Sequence, residues 1–460
     1  MRQTKNTGVL RRGAGAGLAV TAVLALAAGC VSGPGSSDPE PEPTADAEVS
    51  TVLTNEPVVL DIYLETNFQV AFKALADVFT SQHPNVTFEY QADTTANLAQ
   101  NATKIISGDD PPDLVRYTSV AQAAKDGILA NLDGYAQAYG WDTWPTGTMD
   151  QLRTPGDGSR GEGSLYGLGI GYSVTGVYYN KAIAADLGLT MPPATIEEFE
   201  SYLRVAKDAG VLPIMAGNKD FMVNFAFQSL QNQYALRDPE GFDQLKDFAY
   251  ARSGSTFVLD SSLEAARTIQ SWAQQGYFPE DANAVDYMGD IGRFGAGEAL
   301  FEFNGDWAAA QLDAIEIGAF GFFLFPGETP DARAVAMSAP ATYVIPAQAA
   351  DKDAMAYFLN WVHTDETARQ IVLDITGSAP GGPADLPQPQ PKDGTLAEDT
   401  VFAAETIGLS DGAIDFTANS TPGIFTTTIG PNLQLLITDR ITPEGYVDAV
   451  QAGYETELGR

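Results

Sequence analysis

The chain contains one cysteine and two histidines, so its candidates for nucleophilic and acid–base chemistry are few. Cys30 closes a short apolar run, Leu18 to Gly29, that follows Arg2, Lys5, Arg11 and Arg12. A charged start, an apolar stretch and small residues at its end are the parts of a secretory signal. A thiol just past such a run is placed to carry a lipid. The run is too short to span a membrane, which takes ~20 apolar residues. His83 stands before Pro84 where one helical pattern stops and His363 stands near the end of another. Both read as surface caps, not as acid–base groups. No Gly-x-Ser-x-Gly elbow, His-Glu-x-x-His pair or phosphate loop occurs. Glu197 and Glu198 are adjacent on a helix and point apart, so they form no glycosidase dyad. With Cys30 the lone cysteine, thiolate metal sites and disulfides are excluded, and neither a metal nor a cofactor is expected.

What remains is chemistry suited to holding a ligand. Glu65 and Asn67 end an apolar strand, Val58 to Leu64, and can hydrogen-bond hydroxyls, though Asn67 serves equally well as a helix cap. Asp113 leads Leu-Val-Arg-Tyr, a strand whose far end, Tyr117 to Ser119, is where ligands meet a parallel sheet; Asp113 itself fits turn chemistry better. Phe221, Asn224 and Gln228 can reach a ligand or pack a helix, and spacing does not choose between these. Gly167, Gly169 and Gly171 lack the third glycine and the following helix of a dinucleotide loop, so they fit a hinge strand.

The elements that position these residues alternate strand and helix. After Val58 to Leu64 comes a helix with Phe68, Phe72, Leu75 and Phe79 on one face, then a strand, Val86 to Tyr90. That is the unit of a parallel sheet covered by helices. Downstream, Thr195 with Glu198 and Ser261 with Glu264 read as capping boxes, closed by Gly210 and Gly276. Met355, Phe358, Leu359 and Val362 mark a further amphipathic helix, and Thr442-Pro443 starts the last one. Gly, Pro and Thr density predicts a long surface loop from Thr143 to Ser164, and a second irregular stretch runs from Ser378 to Gly394.

The chain has 460 residues, more than one hydrophobic core usually organises, so two lobes are expected. Sixty acidic against 25 basic residues give a net charge of −35, and a signal cut before Cys30 would remove only positive charges. Such a surface favours solubility and gives no reason to approach nucleic acid. Val31 to Thr51, rich in Gly, Pro, Ser and Glu, reads as a disordered tether, with order beginning at Pro57.

Several segments fall in one characteristic order: Gly108-Asp109-Asp110-Pro111-Pro112-Asp113-Leu114-Val115, Leu165 to Lys181 with Tyr178-Tyr179-Asn180-Lys181, Phe294 to Leu300 leading to Asn304-Gly305-Asp306-Trp307, Tyr343-Val344-Ile345-Pro346, and Gly377-Ser378-Ala379-Pro380. Together they resemble the extracellular solute-binding protein family of ABC importers, the branch related to maltose-binding protein, over nearly all of Pro57 to Tyr454. The lead-in to Cys30, Leu24 to Gly29, likewise resembles a bacterial lipobox, with Ala27 where leucine is usual.

The resemblance implies an α/β fold of the periplasmic-binding-protein type II class, two lobes joined by a hinge with the ligand cleft between them. It implies a signal peptide at 1–29, a lipidated linker at 30–56, an N-terminal lobe of 57–168 plus 341–386 and a C-terminal lobe of 172–337 plus 395–460. It implies that Tyr172 and Trp307 meet the solute, the indole lying on a sugar ring; Asp306, Gly381 and Gly382 are weaker candidates on the same grounds. The expected function is a monomeric, lipid-anchored receptor on the outer face of the cell membrane, not an enzyme. It would bind a mono- or oligosaccharide and deliver it to ABC permease subunits. The alternatives are an exported glycan hydrolase and a sugar receptor for signalling.

Overall fold

The computed structural model describes residues 49–144, 149–383 and 385–459. Cys30, the signal-like run and most of the proposed tether lie outside the described residues. Among the described residues no helix is long and apolar enough to cross a membrane.

Strand β1 (Val58–Glu65) pairs in parallel with β2 (Val86–Asp93) and with β3 (Leu114–Arg116). The helix Gln69–Gln82 between β1 and β2 buries Ala71, Phe72, Leu75, Ala76 and Phe79, the spacing that predicts it. Phe68 falls in a 3₁₀ turn before that helix, where it meets Tyr343 edge-on. The packed body begins before Pro57: Val49 and Leu53 already rest on the core, and the Ser50 N–H reaches the Asp353 carboxylate at 3.3 Å. The expected loop from Thr143 to Ser164 holds a short hairpin, β4 (Arg153–Thr154) with β5 (Ser164–Leu165).

Two strands then join the halves of the molecule. β6 (Leu168–Asn180) is buried along almost its whole length and pairs antiparallel with β8 (Ala299–Gly305), β9 (Phe320–Phe323) and β10 (Ala336–Val344). β10 pairs with β3 at its end, so the strand order is β2-β1-β3-β10-β6-β8-β7, where β7 is Leu212–Met215; β11 (Ala413–Ile414) pairs with β10. Where β6 and β10 cross, their register slips between Pro340 and Thr342. A β-carbon at Gly169 would collide with Pro340, and Gly171 has φ +89, a conformation that favours glycine. Gly169 and Gly171 thus stand where the β6–β10 ladder is irregular.

Apolar side chains divide accordingly. Leu60, Phe72, Phe79, Leu168, Ile170, Tyr343 and Phe358 belong to a first core. Val177, Phe199, Phe227, Trp272, Phe303 and Tyr446 belong to a second. Val174, Tyr178, Phe294, Phe322 and Ile407 pack on the other face of the second half of the sheet. Alternation along β6 thus sends neighbouring side chains to opposite faces.

The capping readings fare unequally. Thr195 Oγ1 accepts from the Glu198 N–H, so the cap forms, while the Glu198 carboxylate reaches one residue further back than a capping box requires, to the Ala194 N–H. Ser261 caps nothing, because the helix Asp260–Gln274 starts one residue earlier and Glu264 instead pairs with Arg267. His363 is also not a surface cap. It is buried against Trp144, with ring centroids 4.9 Å apart, and burial together with nearby Arg369 pushes its pKa down to about 4. A buried imidazole stays neutral because its charged form loses hydration.

Phe79 packs against Phe88, Phe358 and Trp361, with centroids 5.9, 5.2 and 5.1 Å away. Phe79→Ala should lower unfolding stability by about 3–5 kcal/mol in urea titration, the range for deleting a fully enclosed ring.

Candidate ligand-binding site

The C-terminal ends of β1 and β3 lie side by side, because the strands are parallel neighbours. Glu65, at the end of β1, is 3.8 Å from Arg116 Nε, and the same guanidinium donates to the Thr342 carbonyl at 2.9 Å. The cation stands beside the carboxylate at the end of β1 without a hydrogen bond to it from Nε. Asn67 sits in the turn that follows; its side chain lies outside what is described. Tyr117 is mostly enclosed, its hydroxyl 2.8 Å from Thr103 Oγ1 and its pKa raised by burial. Ser119 is half-buried at the entry to the helix Val120–Lys125 and lines a cavity of about 380 Å³. Across that cavity stand Asn419, Ser420, Thr421 and Pro422.

On the second core's side, β8 ends at Gly305 and the chain turns through Asp306 and Trp307. The indole lies directly over Gly305, where any β-carbon would overlap the ring. Trp307 is half-buried and opens a row of aromatic rings: Phe225 at 5.6 Å, Phe416 at 5.5 Å from Phe225, Phe425 at 5.2 Å from Phe416, and Phe221 at 5.5 Å from Phe425. Phe221, Phe225 and Phe425 are half-buried like Trp307, while Phe416 is covered. Flat faces of this kind suit the C–H side of a sugar ring. Asn224 is buried on the same helix turn, and its Nδ2 has no hydrogen-bond partner among the described residues.

Asp306 is fully enclosed, with Oδ1 accepting from the Val174 N–H at 3.3 Å. Burial pushes its pKa up to about 7, opposed by hydrogen bonds that include the Ser378 hydroxyl and the Val174 N–H. Glu302 and Asp290, also buried in this half, are raised by the same desolvation. Among the described residues no group of three or more His, Cys, Asp and Glu is arranged to hold a metal.

Tyr172, Gly381 and Gly382 are gathered elsewhere. Sheet alternation points Tyr172 toward the face of Val174 and Tyr178, away from that of Val177. Its ring covers Gly381, where a β-carbon would overlap it, and its hydroxyl lies 3.6 Å from Met149 Sδ. With Trp144, Pro380, Val401 and Ala404 these residues line a separate pocket of about 460 Å³. Beside it, Arg369 is buried and donates to the carbonyls of His363, Gly381 and Pro387; among the described residues it pairs with no carboxylate. The segment that leaves the helix Glu366–Thr376 is thereby gripped through its backbone.

The structure therefore places Trp307 and Asn224 with the aromatic row, and Glu65, Tyr117 and Ser119 at and beyond the C-terminal ends of β1 and β3. It leaves Asp306 buried beneath Trp307 and collects Tyr172, Gly381 and Gly382 in the pocket by the crossing strands. Phe225, Phe416 and Phe425 are what sequence reasoning missed. Phe221 and Phe225 stand four apart, a spacing that hints at a shared helical face, whereas Phe416 and Phe425 sit in a stretch without any motif.

Residues 65–369 match the family model described as bacterial extracellular solute-binding protein. The chain belongs to that family. Its members are solute receptors, not enzymes, which removes the glycan-hydrolase alternative. A probable sugar-binding periplasmic protein of Mesorhizobium japonicum is 25% identical over 202 residues, 44% of this chain and 45% of that protein. A putative binding protein of Brucella abortus is 26% identical over 235 residues, covering 48% of this chain and 53% of that one. The chain thus spans about half the length of the relatives it matches. Among solved structures it is similar to a chitin oligosaccharide binding protein, with TM-score 0.70, 19% identity and coverage of 88% of this chain and 100% of that one. It is also similar to the GacH receptor of Streptomyces glaucescens, with TM-score 0.68, 16% identity and coverage of 88% and 99%. The fold is the two-lobed α/β fold of periplasmic solute-binding proteins.

For this receptor, the Asp306 carboxyl is neutral in both folded and unfolded chains at low pH. As pH rises from its ordinary value of 3.8 to about 7, only the unfolded chain ionises freely, so the stability present at low pH is lost over that window. Asp306→Asn should reduce the fall in melting midpoint between pH 4 and pH 8 relative to the parent, read by differential scanning calorimetry.

Proposed function

We propose that this solute receptor binds a mono- or oligosaccharide and hands it to the permease subunits of an ABC importer. The observation that carries the reading is the row of aromatic rings from Trp307 through Phe225, Phe416 and Phe425 to Phe221. Apolar platforms joined to a few fixed polar groups are what carbohydrate sites require. Glu65, beside Arg116, together with Asn67, Tyr117 and Ser119 at the ends of β1 and β3, would supply those groups, as would Asn224 beside the row. Tyr172, Gly381, Gly382 and Asp306 would then act from behind, by shaping the crossing and the seat of Trp307. Among the solved relatives, one is described as RafE in complex with raffinose, at 18% identity and TM-score 0.67, which agrees with a sugar ligand.

The working motion is hinge closure. One lobe would be 57–168 plus 341–386 and the other 172–337 plus 395–460, with crossings near Gly169 to Gly171, Ser338 to Pro340 and Pro387 to Gly394. A lipid on Cys30 would hold the receptor at the outer face of the cell membrane, near its permease.

Two experiments test this. A thermal-shift screen over mono- and oligosaccharides should find a ligand that, at a hundred times its dissociation constant, adds about 2.7 kcal/mol to stability. Trp307→Ala and Phe225→Ala should each weaken that sugar by about tenfold in calorimetric titration, the scale of one lost aromatic contact; unchanged affinity in both would remove the aromatic row from the site. Cys30→Ala should move the protein from the membrane fraction to the soluble exported fraction on detergent partitioning, and a parent chain already found there would refute the anchor.

A further inference from the structure

The hairpin of β4 and β5 does something that neither the family nor the aromatic row accounts for. Its base belongs to the first core: Leu152 and Leu165 are buried there, and Asp133 accepts from the Leu165 N–H at 2.9 Å while lying 3.6 Å from Arg153. Its tip, Pro155 to Gly163, leaves that core and docks on the second. The Arg160 guanidinium pairs with Asp415 and donates to the carbonyls of Ala249 at 2.6 Å and Asn419 at 3.3 Å. The Arg160 N–H donates to the Tyr250 carbonyl at 2.9 Å, and its own carbonyl accepts from Arg252 Nε at 3.4 Å. The side chains of Arg160 and Asp415 are 11% and 7% exposed, so the pair is shielded from solvent and salt.

The backbone is made for this reach. Gly156, Gly158, Gly161 and Gly163 all have positive φ, which lets the chain leave the hairpin, turn and return within a few residues. A β-carbon at Gly161 would overlap Arg252 and come within 2.7 Å of the Tyr250 ring, so this glycine also permits the close docking. The same tip, through Asp157 to Arg160, forms one side of the 380 Å³ cavity between Ser119 and the Asn419 to Pro422 segment. A link at that place spans the cleft away from the crossing strands.

We propose that Pro155 to Gly163 is a strap, anchored by Arg160 on Asp415, that limits how far the two lobes separate and so sets the balance of open and closed receptor. The proposal rests on the hinge-closure reading but not on the identity of the ligand. Arg160 is a positioning residue here, acting through the lobes and not by touching solute. Removing it leaves Asp415 buried without its cation, which drives the tip off the second lobe. A fraction of molecules then opens beyond the strap's reach, and ligand binding is taxed by that fraction.

The test reads lobe separation without any ligand. In full-length protein with Cys30→Ser, spin labels go on cysteines at the exposed positions Lys104 and Asp448, and double electron–electron resonance gives the distance distribution. Arg160→Gln should add a population at longer distance, several-fold more abundant than in the parent, with circular dichroism still showing a folded protein. Gly161→Ala, which unseats the tip while keeping the ion-pair residues, should do the same, and it decides the matter if Arg160→Gln does not fold. Distributions identical to the parent in the folded variants would overturn the strap, as would loss of folding in both, which would make the segment part of the core. Failure to find any sugar ligand would refute the sugar reading and leave this measurement intact.

Discussion

Two buried strands shared by two cores are the constraint on which the rest of the structure depends. β6 gives Leu168 and Ile170 to one core, Val177 to the other, and Val174 and Tyr178 to the cluster on the opposite face, while β10 gives Tyr343 to the first and Met337 to the second. Strands buried on both faces must satisfy every backbone group by pairing, so they cannot flex freely along their length. The ladder between them is irregular near Gly169, Gly171 and the register slip beside Pro340, the place at which the proposed closure would bend.

The two sides of the site are built with different physics. The first side of the proposed site would contribute polar groups, Glu65 beside Arg116 and Tyr117 held by Thr103. The second would contribute rings, in a half that also buries Asp306, Glu302 and Asp290, whose carboxyls burial raises toward neutrality. A chain with net charge −35 can hold such groups inside because a protonated carboxyl adds nothing to its self-repulsion. Stability is given up there at neutral pH, beneath the surface that carries Trp307.

Local pattern made much of this legible. The β1–helix–β2 unit, the Thr195 cap and the strand before Trp307 follow from periodicity and caps, and each is found where periodicity put it. Glu65 and Ser119 could be proposed from their places at strand ends, which a sequence marks, whereas Trp307 rested on the family resemblance. The surroundings of Tyr172 could not be read locally, since Gly381 and Met149, against which it lies, come from segments distant in sequence. His363 misled for a related reason: helix position says nothing of what lies above the helix, and Trp144 arrives from a segment more than two hundred residues away. The aromatic row joins three stretches distant in sequence, and Arg160 finds Asp415 across 255 positions, so neither has a local signature.

The grip of Arg369 on the segment beyond the helix Glu366–Thr376 has a consequence for a protein that works outside the cell. Its partners are the carbonyls of His363, Gly381 and Pro387, and a carbonyl neither gains nor loses a proton across any environment a bacterium meets. Being buried, these contacts are also poorly screened by external electrolyte. These contacts of Arg369 are therefore themselves insensitive to the acidity and salinity of the medium, even though the surface around them is dense with groups that respond to both.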